Sequence, residues 1–432
     1  MRFLYPQPEL EQAFAAARTA DDMDAFLARV VRLPEQFRTP DIYGRRLFAR
    51  GLDALVPRMA AFMQLRDQPA RERSNANVCI LATRFYPTGG HGRIAQELIA
   101  RLQPAGAVTL LTDIYRELRY ADFFNQPTNR SFIGERACLV PGAELLVERV
   151  LETYMMLAAM RPTRILLMSH PMDLVAVLAA WPFRDVVEFV HHADHVPALG
   201  ATLPFAAHVD VTYTCHLACR EAGLDPTYAG MAAPLAPPVA ARAPDGELRI
   251  ATCGSVHKYR GQARHRWADY VVAALSRPGT RLFHIGETDE AFRSELVAAL
   301  TAAGIALDRY VLTGYRPSLP AELAAQGADA YLASYPETGA KSNLEAMMAG
   351  VPVLVPGDDD QPPLVRYRSP LPGWRPLSSP GDLNAGLDWA RARRTGPQDA
   401  ADIAAVAQEA ARFDDFAAGR PLAPTPREDR LA

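Results

Sequence analysis

The stretch from Ala330 to Pro356 reads AYLASYPETGAKSNLEAMMAGVPVLVP. The apolar run at 330–333 predicts a buried strand, and a polar loop follows it. The next residues predict a helix that begins near Ser342 and ends at Gly350. A second apolar run, from Pro352 to Val355, predicts another strand. The sequence therefore predicts a strand-loop-helix-strand unit whose polar residues are concentrated in the loop.

The polar loop has the residue types of an anion-binding site. Ser342 and Asn343 are helix-capping types, and the free amides and positive dipole end of a helix start attract anions. Glu337 precedes the helix and Glu345 lies one turn inside it, with Lys341 between them. Acid, base and amides thus converge on a small volume, and we expect a phosphate group to bind there.

This stretch resembles the Glu-x7-Glu region of GT-B glycosyltransferases, including the ending LEAMMAGVPV from Leu344 to Val353. The resemblance implies that Glu345 holds the ribose of a sugar nucleotide and that Ser342 with Asn343 holds its diphosphate. It also implies that Glu337 contacts the transferring sugar. The loop departs from the family in lacking the Pro-Phe-Gly that usually follows the first Glu. The alternative is an ordinary βαβ unit with Glu345 in a solvated first turn.

Composition excludes several classes of protein. The 432 residues are 49% hydrophobic and 22% charged, which is typical of two or three globular domains. A net charge of -3 and a pI of about 6.4 predict no nucleic-acid partner. No apolar run reaches the roughly 18 residues that span a bilayer, so we expect no transmembrane segment and a cytoplasmic location. Five cysteines fit reduced thiols, and the abundant Ala, Arg and Pro suggest a bacterial source.

Residues 1–75 carry apolar residues at helical spacing, as at Leu10, Phe14 and Ala17, and predict an α-helical extension. Such an extension can form a homodimer face, shape an acceptor site or brace the next domain. All three alternatives stay open at this point.

A Rossmann-like domain is predicted from Asn77 onward. The apolar run Val78 to Ala82 fits a strand buried on both faces, and a glycine-rich turn leads from it into a helix. This turn resembles the glycine loop of the N-terminal GT-B domain, which meets donor phosphates or the acceptor. The matching residues are Gly89, Gly90 and His91.

Strands and helices then alternate, which predicts a doubly wound parallel sheet. The predicted strands are Val108–Leu111, Ile165–Met168, Val186–Val190 and Val209–Tyr213. Ligands of such sheets bind outside the carboxyl ends of the strands, and His191 to His195 directly follow one of these ends. We expect His192 or His195, before His191, to act as a general base oriented by Asp194. The alternative is a hydrogen-bonded loop that caps the strand.

The cluster HHADH also resembles a segment of bacterial glycosyltransferases akin to the protein O- and N-glucosyltransferases. We expect no metal ion, because His191, His195 and Asp194 match no zinc signature. Cys215 and Cys219 lack a second ligand pair and are interpreted as small apolar residues on a helix.

A proline-rich stretch at 232–247 predicts an interdomain linker, after which a second sheet begins at Leu248. Lys258 follows the first strand of this sheet and can stabilise a departing diphosphate. By resemblance it is the family's phosphate-binding basic residue. Gly286 resembles the strand-end glycine beside which the nucleotide base and ribose lie.

The predicted fold is α/β and of the GT-B type, with two Rossmann-like domains facing across a cleft and an α-helical N-terminal extension. The predicted domains are an extension (1–75), an N-terminal acceptor domain (76–235), a C-terminal nucleotide-sugar domain (245–395), and a C-terminal helix and tail (396–432).

The predicted function is metal-independent, hexosyltransferase-like transfer of a sugar from a nucleoside-diphosphate donor, without a further cofactor. The acceptor is a hydroxyl or amide of a glycan, a protein or a small molecule. One alternative is a nucleotide-sugar 2-epimerase, and another is a catalytically silent protein that binds a sugar nucleotide or a partner. Glu-x7-Glu favours retention whereas the histidine cluster favours inversion, and the sequence leaves both open.

Overall fold

The computed structural model describes residues 4–5, 8–37, 39–84, 90–102, 106–115, 138–232, 239, 246–261, 263–357, 361–395 and 400–422. The chain divides into two compact units. Unit 1 comprises Met1–Met231 with Arg412–Thr425, and unit 2 comprises Ala232–Ala411. Each unit contains its own parallel sheet. The domain limits predicted inside these units stay predictions.

The extension of unit 1 is helical, as predicted. Its helices are α1 (Pro8–Ala16), α2 (Ala20–Val31), α3 (Arg50–Asp53) and α4 (Val56–Phe62). The longest, α2, begins with a capping box in which Thr19 and Asp22 exchange hydrogen bonds, and its apolar side is buried.

The sheet of unit 1 has seven parallel strands in the order β3-β2-β1-β4-β5-β6-β7. They are β1 (Val78–Ala82), β2 (Val108–Leu111), β3 (Cys138–Leu139), β4 (Arg164–Met168), β5 (Val187–His191), β6 (Ala207–Asp210) and β7 (Thr227–Tyr228). Every residue of β1, β4 and β5 is buried, as both faces of a parallel sheet are covered. Strand order reverses between β1 and β4, where doubly wound sheets bind ligands.

The helices that alternate with these strands are α5 (Gly90–Leu102), α6 (Leu146–Met160), α7 (Leu174–Ala180) and α8 (Tyr213–Glu221). The strand predicted at Val209–Tyr213 instead runs from Ala207 to Asp210, so its predicted end is wrong. The reason is the side chain of Thr212, which accepts a hydrogen bond from the amide of Cys215 and so caps α8.

Unit 2 contains a six-stranded parallel sheet in the order β10-β9-β8-β11-β12-β13. Its strands are β8 (Leu248–Cys253), β9 (Thr280–Ile285), β10 (Tyr310–Gly314), β11 (Ala330–Leu332), β12 (Val353–Pro356) and β13 (Trp374–Leu377). The strand order reverses between β8 and β11, which places a second switch point there.

The helices of unit 2 are α9 (Trp267–Ser276), α10 (Glu290–Ala302), α11 (Leu319–Gln326), α12 (Ala340–Met348) and α13 (Leu383–Thr395). The last helix, α14 (Ala400–Ala417), leads the chain from unit 2 back into unit 1. In the part of the chain that the structure describes, no helix combines the length and the apolar character needed to cross a bilayer.

Candidate anion site and histidine loop

The candidate anion site lies at the switch point of unit 2. The loop after β8 leads through Gly254 to Lys258, and the loop after β11 leads through Ser334 to Gly339 and into α12. Because β8 and β11 are neighbours in a parallel sheet, their carboxyl ends lie at the same edge. The two loops are also joined directly, since the amide of Glu337 donates to the carbonyl of Lys258 (3.2 Å).

Helix α12 begins earlier than predicted. Its first residue is Ala340, with Gly339 at the N-cap, so the prediction of Ser342 and Asn343 as capping residues is wrong. The Ser342 hydroxyl and the backbone amide of Asn343 both donate to the Gly339 carbonyl, and the donor-acceptor distance is 3.0 Å in each case. Glycine has no side chain to accept from the first-turn amides, so the dipole end of α12 is left for an external anion.

Lys258 lies at this helix start. A methyl group added to Gly339 would fall 2.4 Å from Ser342 Oγ and 2.9 Å from Lys258 Nζ. The glycine therefore leaves the space in which the ammonium group approaches the first turn. A fixed cation and the positive end of a helix dipole meet here, which suits a group with two or more negative charges.

Lysine is rare in this chain, which sets Lys258 apart from the other basic residues. The protein contains only two lysines, Lys258 and Lys341, although it has 46 basic residues in all. Both lysines belong to this site, and every other basic side chain is arginine. This signal was available in the sequence and was missed. A lysine differs from an arginine in carrying a compact point charge with three donors.

Lys341 points into the protein. Its buried ammonium donates to the carbonyl of Ala232 and lies 3.5 Å from Glu345 Oε1. Lys341 thereby fixes the position of the Glu345 carboxylate. Its predicted part in substrate binding stays a prediction, and the geometry makes any such part indirect.

Asn343 is completely buried. Its Nδ2 donates to Thr338 Oγ1 (2.9 Å), while its Oδ1 has no hydrogen-bond partner among the described residues. Asn343 therefore holds the loop before α12. For Glu337, the carbonyl accepts from Ser334 Oγ (2.7 Å), which fixes the backbone of the loop.

Gly286 meets a strict backbone requirement. Its φ is +141°, and a methyl group on it would lie 2.3 Å from the Gly254 carbonyl oxygen. Only glycine allows this approach of the loops after β8 and β9. The His284 ring donates to the same Gly254 carbonyl through Nε2 (3.2 Å) and accepts from the Tyr310 hydroxyl at Nδ1 (2.6 Å).

The glycine loop of unit 1 is only partly described. Gly89 lies outside the described residues. Gly90 and His91 are the first residues of α5 by backbone, and their side chains also lie outside the description. Their predicted contacts with donor or acceptor stay predictions.

His192 and His195, the two histidines predicted as the general base, have different environments. His192 Nε2 donates to the carbonyl of Ser169 (2.8 Å), and burial lowers the pKa of His192 to about 4, so the ring is neutral at pH 7. His195 Nδ1 lies 2.6 Å from Asp194 Oδ1, and the His195 side chain is 42% exposed. A neutral His195 that donates to Asp194 from Nδ1 carries its lone pair on Nε2, which is the arrangement of a general base held by a carboxylate.

The helical extension supports this histidine loop, a contact that the sequence did not reveal. The amide of Gly44 donates to the carbonyl of His195 (2.7 Å), and the Tyr43 ring lies 4.9 Å from the His195 ring. Buried Asp53 accepts from the amide of Gly200 (2.6 Å) and from both the amide (2.9 Å) and the hydroxyl (2.6 Å) of Thr202. These contacts favour the brace among the three roles considered for the extension.

His191 does not join the other two histidines. Its side chain is buried at the end of β5, and its Nδ1 lies 3.0 Å from Asp210 Oδ1 at the end of β6.

Comparisons with known proteins bear on the fold. No protein-family model matches the sequence, and no curated protein sequence matches it. Among solved structures, the apo form of the lipopolysaccharide outer core galactosyltransferase WaaB has 15% identity and a TM-score of 0.54, covering 78% of this chain and 98% of that one.

Two further structures are similar. HepE from Anabaena, in complex with UDP and glucose, has 14% identity and a TM-score of 0.52, covering 79% of this chain and 97% of that one. A glycosyltransferase from Rickettsia africae has 9% identity and a TM-score of 0.51, covering 79% of this chain and 93% of that one. With two doubly wound parallel sheets and these structural neighbours, the chain has the α/β GT-B fold, as predicted from its sequence.

Proposed function

We propose that this protein is a glycosyltransferase that moves a sugar from a nucleoside-diphosphate donor to an acceptor hydroxyl or amide. The observation that carries the proposal is the glycine-started helix α12 with Lys258 at its first turn, at the switch point of a GT-B fold. The structural neighbours support the same chemistry: WaaB is a galactosyltransferase, and Anabaena HepE is in complex with UDP and glucose.

In this proposal the donor diphosphate binds the first turn of α12. Charge grows on the diphosphate as the glycosidic bond breaks, and a preorganised cation and helix dipole stabilise that charge without a metal ion. Lys258 supplies the cation. Glu345, held by Lys341, accepts hydrogen bonds from the ribose hydroxyls, and Gly286 leaves room for the nucleoside beside the backbone.

The acceptor is activated by the histidine loop of unit 1. His195, oriented by Asp194, takes the proton from the acceptor as the new bond forms. This assignment favours inversion, because a base that activates the acceptor belongs to direct displacement. We propose a reducing, cytoplasmic location, since none of the five cysteines, all of which lie in the described residues, forms a disulfide.

The scarcity of lysine provides a direct test. Because the only lysines are Lys258 and buried Lys341, an amine-directed reagent followed by peptide mass spectrometry reports on Lys258 almost alone. We expect a nucleoside-diphosphate sugar to protect Lys258 from modification in a concentration-dependent way. The α-amino group serves as the internal control, because a bound donor leaves its rate of modification unchanged. Full reactivity of Lys258 at saturating levels of a wide donor panel would refute the donor site.

Turnover then separates the three functions. The donors that protect Lys258 are incubated with and without glycans, peptides and small hydroxylated acceptors, and the products are separated by chromatography. Transfer that depends on an acceptor supports the proposal. Interconversion of the nucleotide sugar without an acceptor would identify an epimerase, and protection without any conversion would identify a silent binding protein.

A further inference from the structure

Four potential metal ligands meet behind the histidine loop of unit 1. They are His191 at the end of β5, His208 and Asp210 on β6, and Cys219 on α8. His191, Asp210 and Cys219 are buried, and the His208 side chain is only 13% exposed. Neither the anion site nor the proposed general base uses any of these four side chains.

The ligand atoms lie at the corners of a tetrahedron. The separations from Asp210 Oδ1 are 3.0 Å to His191 Nδ1, 3.0 Å to His208 Nε2 and 3.6 Å to Cys219 Sγ. The two ring nitrogens are 3.3 Å apart, and Cys219 Sγ is 3.5 Å from each of them. Zinc bonds of about 2.0–2.1 Å to nitrogen or oxygen and 2.3 Å to sulfur give tetrahedron edges of about 3.3–3.6 Å.

The hydrogen bond at Nδ1 of His208 also favours a cation beside its other ring nitrogen, Nε2. His208 Nδ1 lies 3.0 Å from the carbonyl oxygen of Ala201, which can only accept, so Nδ1 carries the proton. Nε2, the other ring nitrogen, faces a carboxylate oxygen, another ring nitrogen and a sulfur. A divalent ion at the centre would be bound by all four atoms, and the Ala201 carbonyl accepts a hydrogen bond of the kind that the free nitrogen of a metal-bound histidine donates.

The fold itself holds the four residues in place. His191 and Asp210 are partners in the parallel register of β5 and β6. His208 precedes Asp210 by two residues and so points to the same face of the strand. Thr212 caps α8 immediately after β6, which directs Cys219 back over the strand ends.

We infer that His191, His208, Asp210 and Cys219 form a structural site for zinc or a similar divalent transition-metal ion. The set is closed, since four protein ligands leave no position for a substrate, whereas catalytic zinc sites keep one open. The ion would join β5, β6 and α8 and fix the backbone from which His192 and His195 project. The inference does not depend on the proposed function, and the transfer chemistry does not involve this ion.

The sequence patterns did not identify this site. The expectation of no metal considered His191 with its neighbours His195 and Asp194, whereas the ligands near His191 lie 17, 19 and 28 residues away in the chain. The interpretation of Cys219 as a small apolar helix residue missed the polar side of α8.

The first test is the metal content of the full-length protein, purified without chelators and measured by elemental mass spectrometry. We expect about one zinc ion per chain in the wild type. Cys219→Ser and His208→Ala should lose most of it. Cys215→Ala is the matched control, because Cys215 is a buried cysteine on the same helix outside the cluster, and it should keep the metal.

Cobalt provides a test that does not need the variants to fold well. After zinc is removed with a chelator, Co²⁺ added to the wild type should produce the intense visible bands of a tetrahedral ion and a thiolate-to-cobalt charge-transfer band. Zinc should displace both. A wild type that holds no stoichiometric metal and gives no such bands would overturn the inference in favour of a hydrogen-bonded cluster. Zinc that persists in both ligand variants would equally overturn it.

Discussion

Lys258 is a single residue whose type matters as much as its charge. It is one of two lysines in a chain otherwise supplied with arginine, and its Nζ lies 2.9 Å from where a Gly339 methyl group would be. A lysine ammonium is a compact point charge with three donors, whereas an arginine guanidinium is a wider planar fork. The site is therefore built for a compact point charge beside a helix dipole.

Replacing Lys258 tests this view. Lys258→Ala should weaken donor binding about 10–100-fold, or roughly 1.4–2.7 kcal/mol, because one charge-assisted contact to the diphosphate is lost. Lys258→Arg should recover little of the affinity. Titration calorimetry with a nucleoside-diphosphate sugar measures both. Arg260→Ala is the control, since Arg260 is paired with Asp289 at the surface, and an equal loss in that variant would contradict the assignment.

His195 is the residue for the acceptor side. His195→Ala should lower kcat by about 10²–10⁴-fold and leave the Kd of the donor unchanged, because a general base acts in the transition state. Asp194→Asn should give a smaller loss of the same kind. His192→Ala is also expected to spare binding and to lower transfer. Steady-state rates combined with calorimetric Kd values separate these effects, and a weakened donor Kd in His195→Ala would argue against the role.

At the scale of single residues, the sequence pointed to candidates whose position depends on neighbouring residues in the chain. Lys258 and Glu345 could be selected because a strand, a turn and a helix start place them at one sheet edge. Tyr43 and Asp53 could not be selected, because their importance comes from contacts with a loop about 150 residues away. Lys341 was also selected from the sequence, but its bond to the Ala232 carbonyl depends on tertiary packing and could not be predicted.

At the scale of elements, Arg164 joins a strand to the last helix. It lies at the start of β4, forms two hydrogen bonds with buried Glu188 (2.9 and 2.8 Å), and donates to the carbonyls of Phe416 and Ala417 at the end of α14 (2.8 and 2.9 Å). A cation at a helix carboxyl end also interacts favourably with the helix dipole. One side chain thus anchors the returning segment to the sheet.

Arg164→Met should lower the free energy of unfolding of unit 1 by about 3–5 kcal/mol, because it removes the buried partner of the Glu188 carboxylate and leaves only the half-exposed Arg73, 3.6 Å away. Urea unfolding followed by circular dichroism measures the change. The double variant with Glu188→Met should recover part of the loss, since no buried charge then remains. A double variant less stable than Arg164→Met would contradict this explanation.

The elements also show what local patterns miss. The extent of β1 could be predicted to the residue, because Val78–Ala82 is a continuous apolar run. The start of α12 was misplaced by two residues, because Ser342 and Asn343 are favoured caps whereas a glycine occupies the N-cap. The end of β6 was missed because Thr212, a residue common in strands, acts as the cap of α8.

At the scale of the whole molecule, buried histidines in both units make stability depend on pH. Burial lowers the pKa of His170 in unit 1 and of His284 in unit 2 to about 4, against 6.5 when unfolded. Between these values the unfolded chain binds more protons, so stability rises with pH. The stabilisation is complete above pH 6.5 and is lost as the pH falls through 4.

We therefore expect the Tm to fall as the pH is lowered from 7 to 4.5. The full shift corresponds to roughly 3 kcal/mol for each histidine. His284→Gln keeps a donor for the Gly254 carbonyl and cannot titrate, so its Tm should fall less steeply over the same range. Scanning calorimetry in buffers of equal ionic strength measures both slopes. Identical slopes would show that His284 does not contribute.

The return of Arg412–Thr425 to unit 1 has a mechanical consequence. If the chain were stretched between handles on α2 and at Gly419, tension would pass through unit 1 by the shortest covalent and hydrogen-bonded route. The hydrogen bonds that the Arg164 guanidinium donates to the carbonyls at the end of α14 would bear this load first. Unit 2 lies between these two points in the sequence, so the covalent path through it would be stretched only after the hydrogen bonds to the last helix had broken.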